Sequence, residues 1–567
     1  MKFNFLNKLE NNVNPGSFWL RRWRPFALFL LLALLVYGQT LFFDFSYLDD
    51  NSLIIDNALI LDQASLPDLF SYDVFFSNER FYYRPIMSLS LWVDFKIMEA
   101  LPFWYHLTNV LLHVLAASLL FVFLQKLNIR RVLAWWASVI FLVHPALAAA
   151  VAWVPGRNDS LLAVFVLASF IALDRFWRNA SWSAWIWHAI FLILALFTKE
   201  SAVFLPILMS MYLVYFADLK LRNIWRRNEN FLSEDSEKPA LISASNLETQ
   251  INPSAKKIIV LVCTWLTALV VWYLPRSIVL EGASLGFKPL AWSFFTNLPG
   301  LFLYLGKIVF PLNLSTFPTV IDSPWWPGLF ILILAVVIFF RWSPQARRPY
   351  LIFGLSWGFL FIAPSLLNPN YSRDLPFAFL EHRLYLPFIG ALIVLLELDF
   401  VKALNFKRAG VKIGLALLLL VFILLTLDHS RNYRDRFAFW SSAATAAPHS
   451  AFVRSNLGAM YYLSDDLFNA GKQYQKALAL NYKEPMTHNN LGLVYLDQKK
   501  YPEAEKEFNL ELAYNPNYDK ALFNLGRLYY LQKRYLEAAY YWQATLVINP
   551  SYYQAYQYLL LVRDKIE

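Results

Sequence analysis

Long apolar runs recur along most of this sequence and constrain its fold more than any other feature. The first extends from Pro25 to Phe43, and later runs lie near residues 106–125, 132–152, 160–174, 183–197, 201–217, 257–275, 325–340, 349–366, 384–401 and 411–428. A helix of about 20 apolar residues spans a bilayer, and lipid requires the backbone polar groups to be bonded internally. With 58% hydrophobic residues, 16% charged residues and a mean hydropathy of +0.41, the chain is predicted to be an all-α, polytopic membrane helical bundle.

The distribution of Lys and Arg predicts the orientation of these spans. Arginines before the first run indicate that residues 1–24 form a cytoplasmic N-terminal segment, followed by a retained anchor. About eleven spans over residues 25–430 place the basic loops on one side, provided that residues 291–311 are re-entrant or interfacial. Residues 228–256 are polar and aperiodic, which predicts a disordered cytoplasmic loop. Cys263, the single cysteine, lies in an apolar run and is expected to be buried; it excludes an internal disulfide.

The last part of the chain, residues 444–567, carries an internal repeat. Asn-Leu-Gly recurs at a spacing of 34 residues, and each unit continues with Tyr, Ala and an aromatic residue at fixed offsets. This order is typical of the tetratricopeptide repeat, a helix–turn–helix unit that stacks into an α-solenoid. We predict three units, followed by a closing helix, at residues 451–484, 485–518 and 519–552.

Two adjacent acids, Asp49 and Asp50, follow the first span directly. Carboxylates at this position could act on a lipid-borne substrate at the membrane surface, or they could form a solvated turn and cap a helix. The predicted topology places further polar residues on the same side of the membrane. These are Arg84, His106, Arg157, Lys199, Glu200, Arg276, Glu381, His382 and Arg383. Acids, histidines and cations on one face are what a surface active site requires.

Several motifs together resemble those of the transmembrane, tetratricopeptide-repeat-containing O-mannosyltransferases and their bacterial relatives. They are Tyr47-Leu48-Asp49-Asp50, Tyr83-Arg84-Pro85, His106 to His113, His144-Pro145, Gly156 to Asp159, Lys199-Glu200 and Glu381 to Pro387. The resemblance covers nearly the whole chain and implies a GT-C fold and a polyprenyl-phosphate sugar donor. One position departs from the pattern, because Ala149 stands where the family usually has a glutamate.

Sugar transfer from such a donor requires a base for the acceptor hydroxyl and cations for the departing phosphate. The resemblance implies that a first-loop acid is the base, and we assign this role to Asp49; Asp50 orients the acceptor or binds a cation. The predicted donor phosphate-binding residues are Arg84, His106, Arg157, Lys199, His382 and Arg383. Alternatives remain open, since Arg84 could bind lipid headgroups and Lys199-Glu200 could form an interfacial ion pair. His113 and His144 are predicted to be hydrogen-bonded structural residues.

The repeats suggest a site for a polypeptide. Asn456, Asn490 and Asn524 occupy equivalent positions, so stacking would align them as a ladder whose amides bind an acceptor backbone. The alternative is that these amides only bond neighbouring helices.

We therefore predict an inverting glycosyltransferase that moves mannose or a similar hexose to a protein Ser or Thr hydroxyl. The alternative is a degenerate scaffold whose repeats assemble envelope proteins, which Ala149 favours. The predicted partners are a polyprenyl-phosphate sugar, a polypeptide acceptor and membrane lipids, with no nucleic acid. No cofactor or zinc is predicted to be required, and a divalent cation at the acids stays open. The predicted location is a bacterial inner (plasma) membrane, with the repeats on the periplasmic or outer side.

Overall fold

The computed structural model describes residues 20, 22–76, 82–217, 253–280, 287–312, 314–367 and 378–566. Most of the predicted 228–256 loop lies outside the described residues. The described chain is all-α, and its only non-helical pairing is an isolated bridge between Thr319 and Ala378. It divides into two compact units. The first holds the apolar helices, and the second comprises Arg436–Glu567 together with Ser315–Pro324 and Asn370–Ala378.

Helices of eight or more residues in the first unit are numbered in chain order. They are α1 Arg24–Tyr37, α2 Pro85–Met98, α3 Pro102–Lys126, α4 Arg131–Val143, α5 Arg157–Asn179, α6 Trp182–Thr198, α7 Leu205–Tyr212, α8 Pro253–Val279, α9 Phe287–Val309, α10 Trp326–Trp342, α11 Arg348–Leu366, α12 Tyr385–Glu397 and α13 Ala409–Ser430. Shorter helices and helical turns lie at Gly38–Phe42, Asn51–Ile55, Ala58–Gln63, Asp68–Ser71, Pro145–Leu147, Ala149–Ala152, Val154–Gly156, Glu200–Phe204, Leu213–Ala217, Glu381–Leu384, Asp399–Lys402 and Arg431–Tyr433.

Seven described helical segments are long and apolar enough to cross a membrane: Arg24–Phe42, Pro102–Lys126, Val154–Asn179, Glu200–Ala217, Ala255–Val279, Arg348–Leu366 and Ala409–Tyr433. An eighth is counted if a bent pair is taken as one span, and α6 and α10 are shorter apolar helices. These segments indicate a multi-pass membrane protein; the count of about eleven stays a prediction. The region predicted to be re-entrant or interfacial forms the continuous helix α9, which includes Pro299. Cys263 is exposed on α8, so the expectation that it is buried was wrong.

The run predicted as one span over residues 132–152 is broken. α4 ends at Val143, and the chain turns by 58° before Pro145–Ala152. Pro145 has no backbone N–H, and it disfavours the helical conformation in the residue before it. His144 fills the break, where its Nδ1 accepts from the Ala146 amide at 3.3 Å and its Nε2 lies 3.1 Å from the Ile308 carbonyl oxygen. The structural role predicted for His144 is confirmed by these bonds.

Glycines allow α11 and α12 to cross in backbone contact. A Cβ on Gly390 would lie 2.4 Å from the carbonyl oxygen of Gly354 and 2.7 Å from the amide nitrogen of Gly358. Gly354 and Gly358 are four residues apart and therefore share one face of α11. Small residues at this spacing let helices approach closely in a membrane protein. The crossing also fixes α12, whose first residues follow the Glu381–Leu384 turn.

The second unit contains the helix pairs that the repeat predicts. Its helices are α14 Arg436–Ala446, α15 Ala451–Tyr462, α16 Leu467–Leu480, α17 Thr487–Asp497, α18 Tyr501–Tyr514, α19 Asp519–Leu531, α20 Tyr535–Ile548 and α21 Tyr553–Ile566. In each pair the repeated glycine faces the aromatic residue of the second helix. A Cβ at Gly458, Gly492 or Gly526 would lie within 2.8 Å of Tyr474, Phe508 or Trp542, respectively. The closing helix is α21.

Candidate functional site

Asp49 and Asp50 lie on a turn that follows the first span. Tyr47 adopts a left-handed conformation, with φ 60°, two residues before Asp49. A bulky residue rarely has a positive φ, so the surrounding structure must hold this turn. Asp50 is buried, and its Oδ2 accepts from Ser46 Oγ at 2.5 Å and from Trp153 Nε1 at 3.3 Å. The Asp50 side chain forms no helix cap, which removes the capping interpretation for that residue.

The Asp49 carboxylate is partly buried and lies among charged groups. Burial raises its pKa to about 6, and repulsion from Asp50 acts in the same direction, while Arg84 and Arg383 act against it. Burial also raises the pKa of Asp50 to about 6, against the hydrogen bonds from Ser46 and Trp153. An acid with a pKa near neutrality is suited to accept a proton during a reaction. The two acids differ in their surroundings. Asp49 lies within electrostatic range of Arg84 and Arg383, whereas Asp50 accepts two hydrogen bonds on Oδ2 and its Oδ1 is buried without a partner among the described residues.

A cavity of about 360 Å³ opens in the same unit. Its charged lining consists of four cations and two acids: Arg84, Lys199, Arg276, Arg383, Asp159 and Glu200. Its apolar lining comes from α11, α12 and the residue that follows α11, and includes Phe361, Pro364, Leu367, Leu386 and Pro387. An excess of positive charge beside an apolar wall suits an anionic group carried on a hydrocarbon chain.

Two ion pairs order this cavity. Arg84 contacts Glu200 through Nε and Nη2, at 3.2 Å and 2.9 Å, and its guanidinium lies 4.3 Å from the centre of the Tyr82 ring. Lys199 donates to both oxygens of Asp159 at 2.7 Å and 2.8 Å. The two cations are therefore fixed in place, although each shares its charge with a carboxylate. The proposed pairing of Lys199 with Glu200 does not form, because each has a different partner.

His382 connects the cavity with the two acids. Its Nε2 lies 3.9 Å from Asp159 Oδ2, and its ring lies 5.1 Å from that of Trp153, the residue that donates to Asp50. Burial lowers the pKa of His382 well below its usual value, and the neighbouring cations Lys199, Arg383 and Arg84 lower it further. These effects favour the neutral imidazole, which can still donate one N–H.

A buried cluster holds the turn that carries His382 and Arg383. Glu381 accepts from Lys307 Nζ at 2.5 Å and lies 2.7 Å from His429 Nε2. All three side chains are no more than 4% exposed. Burial would raise the pKa of Glu381, but the charges of Lys307 and His429 outweigh it and bring that pKa down to about 2. The cluster ties together α9, α13 and the Glu381–Leu384 turn.

Three of the six residues predicted to bind phosphate do not line the cavity, namely His382, Arg157 and His106. Arg157 is fully buried, with an ion pair of 2.6 Å to Asp94 and hydrogen bonds to Asn109 and to the Tyr105 carbonyl oxygen. His106 is also buried, with its ring edge against Phe43. The geometry thus supports a structural role for Arg157 and gives no phosphate-binding surface to His106. His113 has the predicted structural role, with partners at Tyr385 Oη and the Leu142 carbonyl oxygen.

The three repeated asparagines are not equivalent. Asn524 is buried and donates to Asn489 Oδ1 of the preceding unit at 2.9 Å. Asn456 donates to the Phe452 carbonyl oxygen of its own helix at 2.8 Å, and Asn490 accepts from Asn489 at 3.2 Å. These bonds favour the alternative in which the amides stabilise the solenoid. They remove the geometric support for a free ladder.

Sequence reasoning gave no role to Arg276, Lys307 or His429. The predicted topology places Arg276 on the active side, but this residue belongs to no motif. Lys307 and His429 lie within long, mainly apolar helices, where single polar residues give no functional signal. Within the described ranges, no cluster of three or more His, Cys, Asp or Glu side chains is arranged to hold a metal ion.

Comparison with known proteins gives two kinds of match. The Tetratricopeptide repeat family matches residues 469–519 and 511–553. Curated relatives include Protein O-mannosyl-transferase Tmtc1 of Drosophila melanogaster, 33% identical over 121 residues, and TMTC3 of Homo sapiens, 34% identical over 93 residues. The matches cover 21% and 16% of this chain, and only 14% and 10% of those relatives.

Two solved structures also match. The first tetratricopeptide-repeat domain of Spaghetti (RPAP3), bound to an HSP90 peptide, is 24% identical, with a TM-score of 0.20; the match covers 20% of this chain and 92% of that one. The Cut9–Hcn1 hetero-tetramer of the APC/C is 15% identical, with a TM-score of 0.23, over 96% of this chain and 97% of that one.

Proposed function

We propose that this chain is a membrane glycosyltransferase that moves mannose or a similar hexose from a polyprenyl-phosphate donor to a polypeptide Ser or Thr hydroxyl. One observation carries the proposal: four cations and several apolar residues line the same cavity, and Asp49 lies within electrostatic reach of two of those cations. The names of the curated relatives support the reaction class. The donor, the inverting outcome and the translocated-side location are part of the proposal.

The reaction assigns a role to each group. The acceptor oxygen attacks the anomeric carbon while Asp49 takes the hydroxyl proton. The bond from this carbon to the phosphate oxygen breaks, and its electron pair leaves with the lipid phosphate. Attack opposite the leaving group inverts the anomeric configuration. Arg84, Lys199 and Arg383 hold the phosphate, and His382 contacts it as a neutral donor, because cations aimed at developing charge lower the barrier.

The test uses the purified full chain in liposomes with polyprenyl-phosphate mannose and a peptide rich in Ser and Thr. Transfer of mannose to the peptide, with the anomer opposite to that of the donor, is the expected result. A matched assay with the glucose and galactose donors defines the sugar. Failure of the folded protein to transfer any hexose from a polyprenyl phosphate would overturn the proposal.

A second candidate is the catalytically degenerate scaffold. It is favoured by Ala149, which is buried and stands where the resembling family usually has a glutamate. A scaffold should bind polypeptides through its repeats, with an affinity that is indifferent to the presence of the sugar donor. The same liposomes distinguish the two, since peptide binding without sugar transfer supports the scaffold.

A further inference from the structure

The four cations of the cavity lining outnumber its two acids, which gives the lining a formal excess of two positive charges. Arg84 and Lys199 form close ion pairs with Glu200 and Asp159. Such an excess of positive charge attracts an anion, and a bound anion would neutralise it.

Arg276 enters the cavity from α8, near the end of that helix. Its guanidinium lies 5.4 Å from the centre of the Trp272 ring, one turn earlier. Its Nε is shielded from solvent and has no hydrogen-bond partner among the described residues. A buried donor without an acceptor is costly, and a ligand that supplies an acceptor oxygen recovers that cost.

Charge on the phosphate increases during the proposed reaction. The donor is a phosphodiester with one negative charge, and the departing lipid phosphate is a monoester that carries up to two. A guanidinium matches two phosphate oxygens with parallel N–H groups, which a lysine cannot do. Groups that bind the more highly charged form better than the donor accelerate the reaction.

We propose that Arg276 binds the phosphate of the lipid and prefers the monoester that leaves over the diester that enters. This inference rests on the proposed function. Arg276 donates through its Nε and one terminal nitrogen, and Trp272 supports the guanidinium from one face. The apolar residues Phe361, Leu386 and Pro387 accommodate the first part of the hydrocarbon chain.

The experiment compares Arg276→Gln and Arg276→Lys with a matched control, Arg348→Gln. Arg348 is exposed and is the first residue of α11, whereas the cavity-lining residues of this helix lie near its last residue. The full chain is reconstituted, and thermal melting establishes that each variant is folded. Binding of polyprenyl monophosphate is measured directly, and inorganic phosphate is tested as a competitor. Rates of sugar transfer then give kcat and KM for the donor.

Loss of one charge-assisted contact should weaken monophosphate binding by about tenfold or more in Arg276→Gln. The transfer rate at saturating donor concentration should fall by a larger factor than the affinity for the donor. Arg276→Lys keeps the charge without the paired donors and should be intermediate, while Arg348→Gln should match the original chain. Inorganic phosphate should compete far less well than the lipid, because it lacks the chain that contacts the apolar wall.

The outcomes separate the two proposals. If the original chain transfers sugar and Arg276→Gln binds monophosphate equally well, the assignment of Arg276 is wrong and the proposed function stands. If the folded original chain neither binds the lipid phosphate nor transfers sugar, the proposed function fails and this inference fails with it. Equal competition by inorganic phosphate would reject the lipid as the source of the anion.

Discussion

Asp49 and Asp50 are adjacent and have similarly raised pKa values, yet their surroundings give them different roles. Asp50 accepts hydrogen bonds from Ser46 and Trp153, so its carboxylate is held in one orientation. Asp49 instead lies within electrostatic range of Arg84 and Arg383, whose charges oppose the rise in its pKa. These contacts support our proposal that Asp49 is the base and that Asp50 orients the acceptor.

The raised pKa of Asp49 predicts the pH dependence of sugar transfer. A base must be deprotonated, so the rate should fall as the pH drops through about 6. Initial rates between about pH 5 and pH 8 measure this limb. Asp56→Asn, which changes an exposed acid on the same loop, should leave this pH dependence of the rate unchanged. A rate that stays constant down to about pH 4.5 would contradict a base with a raised pKa.

Individual residues also show the limits of sequence reasoning. The order of motifs and the charge of the loops were enough to select Arg84, Lys199 and Arg383, which line one cavity. The same reasoning also selected Arg157. The charge of a loop predicts on which side of the membrane an arginine lies, but it does not predict which side chain the arginine contacts. Asp94 contacts this guanidinium inside the bundle. Such a pairing depends on how helices pack, and spacing along the chain does not reveal it.

The Lys307–Glu381–His429 cluster gives a second prediction at this scale. Removing one partner of a buried ion pair costs about 3–5 kcal/mol, so Lys307→Met should lower the melting temperature sharply. Lys307→Arg should retain most of the stability, and Lys407→Met, at an exposed lysine, serves as the control. The lowered pKa of Glu381 adds stability that is present above its unfolded value and is lost only as the pH falls through about 2. Melting near neutral pH therefore reports the full effect.

The elements around the cavity are positioned by backbone contacts as much as by side chains. α11 and α12 cross at Gly354, Gly358 and Gly390, and both helices line the cavity. The apolar pattern predicted that both helices exist. The apolar pattern did not predict that the two helices contact each other. It also did not reveal the break at His144, because the apolar run over residues 132–152 is uninterrupted in the sequence.

The crossing of α11 and α12 can be tested with one methyl group. Gly390→Ala places a Cβ against two backbone atoms of α11 that cannot move aside independently. We expect a destabilisation of about 1–3 kcal/mol and weaker binding of polyprenyl monophosphate, because α12 carries part of the cavity wall. Thermal melting and lipid binding measure the two effects. Gly414→Ala on α13, where the added methyl meets no atom within 4 Å, should be tolerated; equal behaviour of both variants would contradict a close crossing.

The whole molecule combines an apolar helical unit with a solenoid of tetratricopeptide repeats. Both were predictable, since apolar run length and a spacing of 34 residues follow from the physics of lipid and of stacked helix pairs. The sequence did not show that Ser315–Pro324, a loop between α9 and α10, would fold with the repeats. There Thr316 donates to the Phe439 carbonyl oxygen, and Phe317 stacks on Phe452. Local patterns cannot reveal such contacts between distant segments.

Sugar transfer by the Asp49→Asn variant tests the central claim most directly. The full chain in liposomes is given saturating polyprenyl-phosphate mannose and a Ser/Thr peptide, and turnover is compared with that of the original chain and Asp56→Asn. Removal of a general base should lower turnover by about 10²–10⁴-fold, while Asp56→Asn retains it. Burial raises the pKa of Asp49, so the neutral amide should also melt no lower than the original chain near pH 8. A folded Asp49→Asn protein with unchanged turnover would show that Asp49 is not the base.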